Sequence, residues 1–421
     1  MEEKKRVGKA VVVGGSIAGL SCAHALIAVG WAVTVIERSG APPSRSPTGA
    51  GLGLDPQARE IIGRWIGHPD LLHDITVPLT VDLNRATENE QKRSWTLTRD
   101  DSFGFRAAHW ADLHGLMLGA LPEGVILWAH QFITFRVLES KLTVVAEVEA
   151  LQTGETLQIA ADLLVAADGC LSTIRQQFLP DFKLRYSGYC AWRGVLDFTG
   201  KENSDIIIGI RSAYPDLGDC LYFDLAHKTH TVIYELKNKR LNWIWYINRP
   251  EPELKGNSVT MKVSNSMIEA MHEEAEKLWV PELARVMKET KEPFVNVIYD
   301  SDPLQKLFWD NVVLVGDAAH PTTPHGLRST NMSILDAETL GNCLKKWGFE
   351  NLRTALEEYE AVRLPVVSKQ VIHSRKLGRM KQGLVIHDQK SFDLRTATSE
   401  EIMQLQQRNM PYFDGAPTTV S

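Results

Sequence analysis

The N-terminal part of the chain alternates between short apolar runs and a segment with helical spacing. The run KAVVVGG (9–15) is apolar up to its two glycines, which is typical of a central parallel strand. Residues 16–30 place apolar side chains at helical spacing, and WAVTVIER (31–38) is a second run rich in β-branched residues. This pattern predicts a β-α-β unit at the start of the sequence.

Further helices are predicted before the middle of the chain. In DPQAREIIGRWIG (55–67), Asp55 is expected to be the N-cap and Pro56 the first helical residue. The segment WADLHGLMLGAL (110–121) shows a second helical pattern. Three β-rich runs between residues 133 and 168 then predict an antiparallel excursion that returns to the core.

From about Tyr186 the pattern becomes β-rich and aromatic. The runs DCLYFDLA (219–226), HTVIYELK (230–237) and LNWIWYIN (241–248) are separated by short polar turns, which predicts an antiparallel meander. After a helical insert around residues 264–291, NVVLV restores the buried-strand pattern, and charged helical sequence follows from Asp336. The sequence thus predicts a dinucleotide-type α/β domain that is interrupted by a sheet domain and completed later.

The composition is that of an ordinary globular protein. Of 421 residues, 44% are hydrophobic and 23% charged, and the net charge of -6 gives no support to nucleic-acid binding. The five cysteines are scattered without zinc spacing, so we expect reduced thiols and no metal site. The start MEEKKR lacks the apolar stretch of a signal peptide, and no apolar run approaches the roughly 18 residues of a membrane span. We therefore expect a cytoplasmic protein without a membrane segment.

The loop GGSIAG (14–19) is the first chemical motif. It lies between the first strand and the first helix, and Gly14 and Gly19 occupy the first and third glycine positions of G-x-G-x-x-G, with Ser16 in the middle position. Glu37 ends the second strand, where a carboxylate accepts hydrogen bonds from ribose hydroxyls. Together these features predict dinucleotide binding. The loop alone does not distinguish FAD from NAD, and a tight turn without a ligand is the alternative.

Later motifs make the pattern specific. VAADGCLSTIR (165–175) ends a strand with Asp168 and a glycine, and GDAAHPTTPHGLRSTN (316–331) follows an apolar run. Together with GGSIAG, GAGLGLDPQA (49–58) and YCAWRG (189–194), these motifs resemble the group A FAD-dependent aromatic hydroxylases, which have the para-hydroxybenzoate hydroxylase fold. The resemblance extends from about Val7 to Arg363 and looks closest to the branch containing 2,6-dihydroxypyridine hydroxylase.

The resemblance implies the architecture of the chain. The expected fold class is α/β, with a Rossmann-like FAD-binding domain of the glutathione-reductase type, an inserted antiparallel β-sheet substrate domain and a helical C-terminal region. The FAD-binding domain would comprise residues 1–77, 103–184 and 296–361, and the substrate domain residues 78–102 and 185–295. Residues 362–421 would form the helical C-terminal region.

The resemblance also assigns roles to individual residues. Ser16, Ile17 and Ala18 would face the FAD pyrophosphate, Asp317 would accept from the ribityl chain, and backbone N–H groups near Asn331 would face the pyrimidine edge of the flavin. Glu37 would bind the adenosine ribose next to Arg38, and Asp168 would serve both FAD and transient NAD(P)H. The implied cofactor-binding residues are Gly14, Ser16, Ile17, Ala18, Gly19, Glu37, Arg38, Gly51, Arg106, Asp168, Asp317, Pro324, Gly326, Ser329, Thr330 and Asn331.

Three positions depart from the family pattern. Ser16 replaces the middle glycine of the first loop, and Ser329 stands where the late motif usually has its second glycine. Trp110 stands where the family often has an arginine before ADLH, and Arg106 is the nearby candidate to replace that contact.

The implied reaction is the reduction of FAD by NAD(P)H, addition of O2 at the flavin C(4a) carbon as a hydroperoxide, and transfer of one oxygen atom to a hydroxylated aromatic or N-heteroaromatic ring. Removal of the substrate proton requires a hydrogen-bonding group. Our candidates are Tyr222 and Tyr234, with Pro324 bordering the reactive face of the flavin and His325 lining the substrate pocket. The alternative for the tyrosines is an ordinary sheet position, and we expect His227 and His230, behind them, to lie in an exposed turn.

Several alternatives remain. The same fold serves epoxidases and oxidative-rearrangement enzymes of specialised metabolism, and a flavin-binding redox sensor without turnover is a rival of another class. WIWYIN (243–248) is similar to a halogenase signature but ends in Asn248 instead of proline, so a packed sheet face is the better interpretation. The basic patch HSRKLGRMKQG (373–383) is interpreted as a solvated face or a dimer contact. The expected oligomeric state is accordingly a monomer or a homodimer.

Overall fold

The structure is a computed structural model that describes residues 6–42, 49–88, 92–138, 143–254, 258–386 and 391–419. Within these residues the strands are β1 Lys9–Val13, β2 Ala32–Ile36, β3 Gly51–Leu54, β4 Thr76–Leu79, β5 Val81–Glu88, β6 Arg93–Asp100, β7 Phe105–His109, β8 Ile126–Leu127, β9 His130–Val137, β10 Val144–Ala150, β11 Thr156–Ala161, β12 Leu163–Ala166, β13 Arg185–Asp197, β14 Cys220–Ala226, β15 Thr229–Leu236, β16 Arg240–Asn248, β17 Thr260–Met261, β18 Phe294–Asp300, β19 Phe308–Trp309 and β20 Val312–Leu314. The α-helices are α1 Ile17–Ala28, α2 Pro56–Ile66, α3 Pro69–Asp74, α4 Trp110–Gly119, α5 Thr173–Phe178, α6 Asp205–Ala213, α7 Asn265–Leu278, α8 Pro281–Glu289, α9 Arg328–Trp347, α10 Leu352–Lys381 and α11 Ser399–Met403.

A six-stranded sheet forms the dinucleotide-type half of the protein. Its order is β19-β20-β12-β1-β2-β8, and β1 pairs in parallel with both β2 and β12. The central strands are buried on both faces, which explains why they consist of continuous apolar runs. Helices α1 and α9 contribute Leu26 and Leu340 to the same core as these strands. The predicted β-α-β unit is therefore confirmed, and β20 adds the strand that the NVVLV run indicated.

An eight-stranded sheet forms the second half. Its order is β17-β18-β13-β16-β15-β14-β5-β6, so the predicted meander of β14, β15 and β16 is confirmed. The excursion over residues 78–102 supplies β5 and β6, and β5 pairs in parallel with β14. The predicted domain boundary at residue 295 falls inside β18, which belongs entirely to this sheet.

The two faces of the eight-stranded sheet have different neighbours. Trp243 and Trp245 lie on the face that packs with residues of α7 and α8, and their indole N–H groups donate to Thr290 and Thr229. Tyr234 and other alternate side chains lie on the opposite face, in a separate core cluster. The two tryptophans of the WIWYIN run thus belong to a packed sheet face.

The C-terminal part begins as a helix and ends in a segment made mainly of turns, residues 404–419, which we call the strap. Helix α10 starts at Leu352 and continues through Pro365, so the predicted boundary at 361 falls within it. After α11 the Gln407 backbone N–H donates to Asp82 of β5, and the Ala416 N–H donates to Gln57 of α2. The expected helical character therefore holds for α10 and α11 and not for the strap. In the described parts of the chain, no helix is both long and apolar enough to cross a membrane.

Candidate functional site

The turn between β1 and α1 requires glycine at two positions. Gly14 has a φ of 105°, and a Cβ there would collide with the carbonyl oxygen of Ala167. A Cβ at Gly19 would collide with the carbonyl oxygen of Gly14, because the helix packs tightly onto the turn. Ser16 is the N-cap of α1, but its exposed side chain forms no capping hydrogen bond. The first-turn N–H groups of α1, at Ile17 and beyond, therefore lack a side-chain acceptor, as a phosphate-binding turn requires.

Glu37 fixes this turn against the end of β2. One carboxylate oxygen accepts from the Gly15 N–H at 2.7 Å, and the other accepts from the backbone N–H and the hydroxyl of Ser39. The side chain of Arg38 beside it is exposed. A carboxylate has about four acceptor positions, so Glu37 keeps capacity for a ribose hydroxyl.

Asp168 follows β12 next to this turn. One of its carboxylate oxygens accepts from the Ile174 N–H at 3.2 Å, whereas Oδ1 is buried and has no hydrogen-bond partner among the described residues. Arg175 in the following helix donates to the backbone oxygens of Ala318, at 2.9 Å, and Asp317, at 3.3 Å. The VAADG and GDAAH motifs, distant in sequence, are thus joined directly.

A buried carboxylate holds the GDAAH turn in place. Asp336 accepts from the Gly316 N–H at 2.9 Å, from His320 Nε2 at 2.6 Å and from Arg363 Nε at 2.8 Å. Burial raises the pKa of Asp336, but His320 and Arg363 outweigh it and bring that pKa to about 2. His320 is therefore a hydrogen-bonded residue of the motif.

The residues at the start of α9, among them the departure Ser329, form specific contacts. The Ser329 hydroxyl donates to the Asp317 carboxylate at 2.7 Å. Arg328 is buried and pairs with Asp55 at 3.1 Å, and Asp55 also caps α2. The side chain of Asn331 donates to the Gly53 carbonyl at 2.9 Å and accepts from the Asp55 N–H. The start of α9 is therefore tied to β3 and α2.

A cavity of about 500 Å³ lies between these loops and the eight-stranded sheet. Residues 49–53, 322 and 324–330 line one side. The sheet side is lined mainly by apolar and aromatic residues, including Phe223, Tyr234 and Tyr246, together with Arg193. The cavity is thus a mostly apolar chamber with a small number of polar groups, which is typical of a small-molecule site.

Two histidines meet at the wall of the cavity. The Nε2 atoms of His325 and His230 are 3.2 Å apart, and His325 Nδ1 lies 3.3 Å from the Tyr189 hydroxyl. His230 Nδ1 lies 3.4 Å from the side-chain oxygen of Gln382, so the two rings form a chain of polar contacts between Gln382 and Tyr189. Burial lowers the pKa of both histidines well below the usual value, with nearby cations such as Lys381 adding to the effect. Both rings are therefore neutral at pH 7.

The structure brings most of the predicted flavin-side residues to this cavity. The predicted residues that line it are Gly51, Tyr234, Asp317, Pro324, His325, Gly326, Ser329 and Thr330. Trp110 also lines it, so that departure from the family pattern changes the cavity wall. Arg106 does not line it: its guanidinium donates to the hydroxyl and the backbone oxygen of Thr76. The expected compensation of Trp110 by Arg106 therefore has no support in the structure.

Two expectations in the sheet require correction. Tyr222 lies on the opposite face, where its hydroxyl accepts from the Asp216 N–H and its ring packs against Tyr214, so its position argues against a role on the substrate. His230 is fully buried, because β15 begins at Thr229 and only His227 of the pair lies in the exposed turn.

Sequence reasoning missed Arg193 and Tyr246 as cavity residues. Both could have been found from strand alternation, because Arg193 is an even number of residues from Tyr189, and Tyr246 pairs with Ala191 on the neighbouring strand.

The residues present fit FAD. At the β1–α1 turn, glycine backbone and first-turn N–H groups of α1 have no side-chain acceptor. The buried Oδ1 of Asp168 and the carboxylate of Asp317 come next, and the cavity lies beyond them. This sequence of donors and acceptors suits a pyrophosphate, then hydroxyl-bearing groups, then a ring system.

Comparisons with known proteins agree with this arrangement. A family model described as "FAD binding domain" matches residues 268–374. The 6-hydroxynicotinate 3-monooxygenase of Pseudomonas fluorescens is 26% identical over 371 residues, which cover 85% of this chain and 88% of that protein. The 2,6-dihydroxypyridine 3-monooxygenase of Paenarthrobacter nicotinovorans is 27% identical over 377 residues, covering 84% and 86%.

Solved structures share the fold. The 2,6-dihydroxypyridine-3-hydroxylase from Arthrobacter nicotinovorans superposes with a TM-score of 0.73 at 22% identity, covering 92% of this chain and 97% of that one. Klebsiella pneumoniae HpxO complexed with FAD and uric acid gives a TM-score of 0.72 at 20% identity, covering 89% of each chain. These findings confirm the resemblance that the sequence motifs indicated: the chain is similar to FAD-dependent aromatic monooxygenases over most of its length.

Proposed function

We propose that the protein binds FAD and catalyses the NAD(P)H- and O2-dependent insertion of one oxygen atom into a hydroxylated aromatic or N-heteroaromatic small molecule. The observation that carries this proposal is the cavity of about 500 Å³ between the GDAAHPTTPHGLRSTN segment and the sheet face that bears Tyr234 and Tyr246. Relatives that act on hydroxylated pyridines align over most of both chains, which supports the same substrate class here.

The residues that would hold FAD lie on three loops. The first-turn N–H groups of α1 would receive the pyrophosphate, with Glu37 at the adenosine ribose and Asp317 at the ribityl chain. The start of α9 would direct N–H groups toward the flavin, where a helix N-terminus stabilises negative charge. When bound, FAD supplies the redox and oxygen chemistry, while the chain binds, orients and excludes water.

The sheet face supplies the substrate side. Phe223, Val232 and Ile244 give an apolar wall that excludes water from the reacting ring. His325 and Tyr234 are the groups that would act on the substrate hydroxyl, because both line the cavity. Burial keeps His325 neutral, and contacts of its two ring nitrogens with His230 and Tyr189 orient the ring at the cavity wall.

A panel assay tests this function. Protein loaded with FAD is mixed with NADH or NADPH and a panel of hydroxylated benzenes and pyridines, while NAD(P)H consumption and product mass are followed. We expect substrate-stimulated consumption coupled to a product that has gained one oxygen atom. Protein that stays colourless after FAD addition contradicts the proposal, and stimulated consumption that yields peroxide alone supports the redox-sensor alternative instead.

One relative favours a second candidate reaction. The Aurachin C monooxygenase/isomerase of Stigmatella aurantiaca is 24% identical and covers 88% of this chain. Oxidative rearrangement would use the same cavity and cofactor, and an oxygenated product with an altered ring skeleton would identify it in the same assay.

We propose further that the protein acts in the cytoplasm as a monomer or homodimer. All five cysteines are free thiols, four of them buried, which agrees with a reducing compartment such as the cytoplasm. We expect a monomer or homodimer, and light scattering of the FAD-loaded protein measures this directly.

A further inference from the structure

Leu327 occupies a backbone position that disfavours leucine. Its φ of 58° and ψ of 35° lie in the left-handed region, where the Cβ of an L-residue is unfavourable. It is also the N-cap residue of α9, and its side chain forms no capping hydrogen bond. Leucine is among the least favoured residues at an N-cap, where small polar residues or glycine are usual. Local preferences therefore do not explain a leucine at this position.

Tertiary contacts on both sides hold Leu327 in this conformation. Its N–H donates to the Pro324 carbonyl at 3.2 Å, and its own carbonyl accepts from the side chain of Asn331. The preceding Gly326 has a φ of 81°, and a Cβ there would collide with the methyl group of Met410 in the strap. A non-glycine residue persists in the left-handed region only where its surroundings fix it, and such residues cluster at functional sites.

The cavity distinguishes Leu327 from the other left-handed residues. Among the described non-glycine residues with positive φ, Leu327 is the one that lines the cavity. The others lie in turns, where this conformation is ordinary: Lys92, Ala129, Lys228, Asn238, Lys239, Asp310 and Tyr412. The unfavourable backbone of Leu327 therefore coincides with a place at the candidate site.

The side chain of Leu327 extends from the start of α9 toward the sheet side of the cavity. A Cβ at Gly53 would lie 2.7 Å from its Cδ1 atom, so the side chain lies directly against β3. It also packs against the hydrophobic cluster that contains Tyr234 and Tyr246, two residues of the cavity wall. The side chain thus bounds the cavity where β3, the start of α9 and the sheet approach one another.

The sheet wall of the cavity offers little room for adjustment. Val232 and Ile244 line it from β15 and β16, in the interior of the eight-stranded sheet. Tyr234 is held closely as well, because a Cβ at Gly51 would lie 2.5 Å from its hydroxyl oxygen. Closely packed walls accommodate an added group poorly, since neighbouring side chains must leave their preferred rotamers. We therefore expect the size limit of the cavity to be set on the side of Leu327.

We propose that Leu327 is a specificity-determining residue that limits the substrate to a single ring, because its side chain occupies the space that a second, fused ring would need. This inference rests on the proposed function for the reaction, but it concerns the size of the bound ring only. It gives a reason for a leucine at a position whose backbone suits glycine.

Binding of matched ring pairs to the FAD-loaded protein tests this inference. In each pair the second compound carries one additional fused benzene ring: 2-hydroxypyridine with 2-hydroxyquinoline, and phenol with 1-naphthol. Dissociation constants are measured from the change in flavin absorbance. We expect the original protein to bind the single-ring compound about tenfold or more tightly, as a filled apolar pocket typically discriminates. In Leu327→Ala this preference should disappear, because the fused-ring compound gains affinity.

A glycine variant separates the side chain from the backbone. Leu327→Gly also lacks the side chain, so it should lose the preference for single rings as Leu327→Ala does. Glycine suits a φ of 58° and alanine does not, so Leu327→Gly should have the higher Tm of the two in the FAD-free state. A lower Tm for the glycine variant would contradict the backbone argument on which the inference depends.

A control variant separates ring selection from a general loss of packing. Leu97→Ala removes the same side chain from the same hydrophobic cluster, at a half-buried position on β6 that does not line the cavity, and it should keep the preference. An original protein without a preference for the single-ring compound of either pair overturns the inference, and so does a preference that survives both changes at Leu327. Weaker FAD binding in these variants with an unchanged preference also overturns it, since the leucine then serves the cofactor.

The outcomes distinguish this inference from the proposed function. Binding that prefers single rings and depends on Leu327, without turnover of any bound compound, leaves the size selection intact and contradicts the monooxygenase reaction. Turnover of single-ring and fused-ring compounds with equal efficiency by the original protein supports the reaction and contradicts the size selection.

Discussion

Replacement of Asp317 tests whether the GDAAH motif holds FAD in the way the structure indicates. One carboxylate oxygen of Asp317 accepts from the Ser329 hydroxyl at 2.7 Å, and no hydrogen bond from another described side chain to its second oxygen is present. The residue lines the cavity, so this second oxygen is available to a ribityl hydroxyl. Asp317→Ala should therefore weaken FAD binding.

The magnitude follows from the kind of acceptor. A hydrogen bond to a charged group contributes about 1.5–3 kcal/mol, which corresponds to an increase in the dissociation constant of roughly 10- to 160-fold. Asp317→Asn keeps an uncharged acceptor and should show a smaller loss, on the order of tenfold. Ser329→Ala removes a donor to Asp317 but leaves the acceptor, so its effect should be smaller than that of Asp317→Ala.

Fluorescence titration of FAD measures these constants, and thermal unfolding of the FAD-free variants provides the control. Burial raises the pKa of Asp317, so its ionised form opposes folding and its removal should not destabilise the FAD-free protein. An unchanged dissociation constant in Asp317→Ala would show that the motif does not contact the cofactor. A large loss of stability in the FAD-free variant would show a structural role instead.

Local sequence signals were sufficient for the dinucleotide half of the fold. The glycines of the first loop are required by contacts within one β-α-β unit, and Asp55 caps α2 as its position before Pro56 predicts. Signals of this kind depend on neighbouring residues in the sequence. They do not determine which loops meet, and the bond from Arg175 to the GDAAH backbone was not foreseen.

Side-chain direction in the meander depends on the strand register, which the hydrophobic pattern alone does not determine. A two-residue turn at His227 and Lys228 joins β14 to β15, so Tyr222 pairs with Ile233. Tyr222 and Tyr234 consequently lie on opposite faces, because directly paired residues share a face and neighbours along a strand do not. Identification of that short turn would have excluded Tyr222 from the cavity and placed His230 inside the sheet.

Two further predictions concern stability. Asp336→Asn leaves the buried Arg363 without a counter-charge, so urea denaturation should show a loss of about 3–5 kcal/mol in the free energy of unfolding. The control Glu357→Gln, at an exposed ion pair, should change that free energy by less than about 0.5 kcal/mol. Equal effects of the two substitutions would contradict a structural role for Asp336. Burial and the charge of Lys376 lower the pKa of His373 to about 4 in the folded state, below the usual 6.5, so the unfolded chain binds more protons between these values. Stability should therefore be fully present above pH 6.5 and fall as the pH is lowered toward 4, by at most about 3 kcal/mol from this residue. His373→Gln should make the fall shallower, and parallel pH profiles for the variant and the original protein would refute this reasoning.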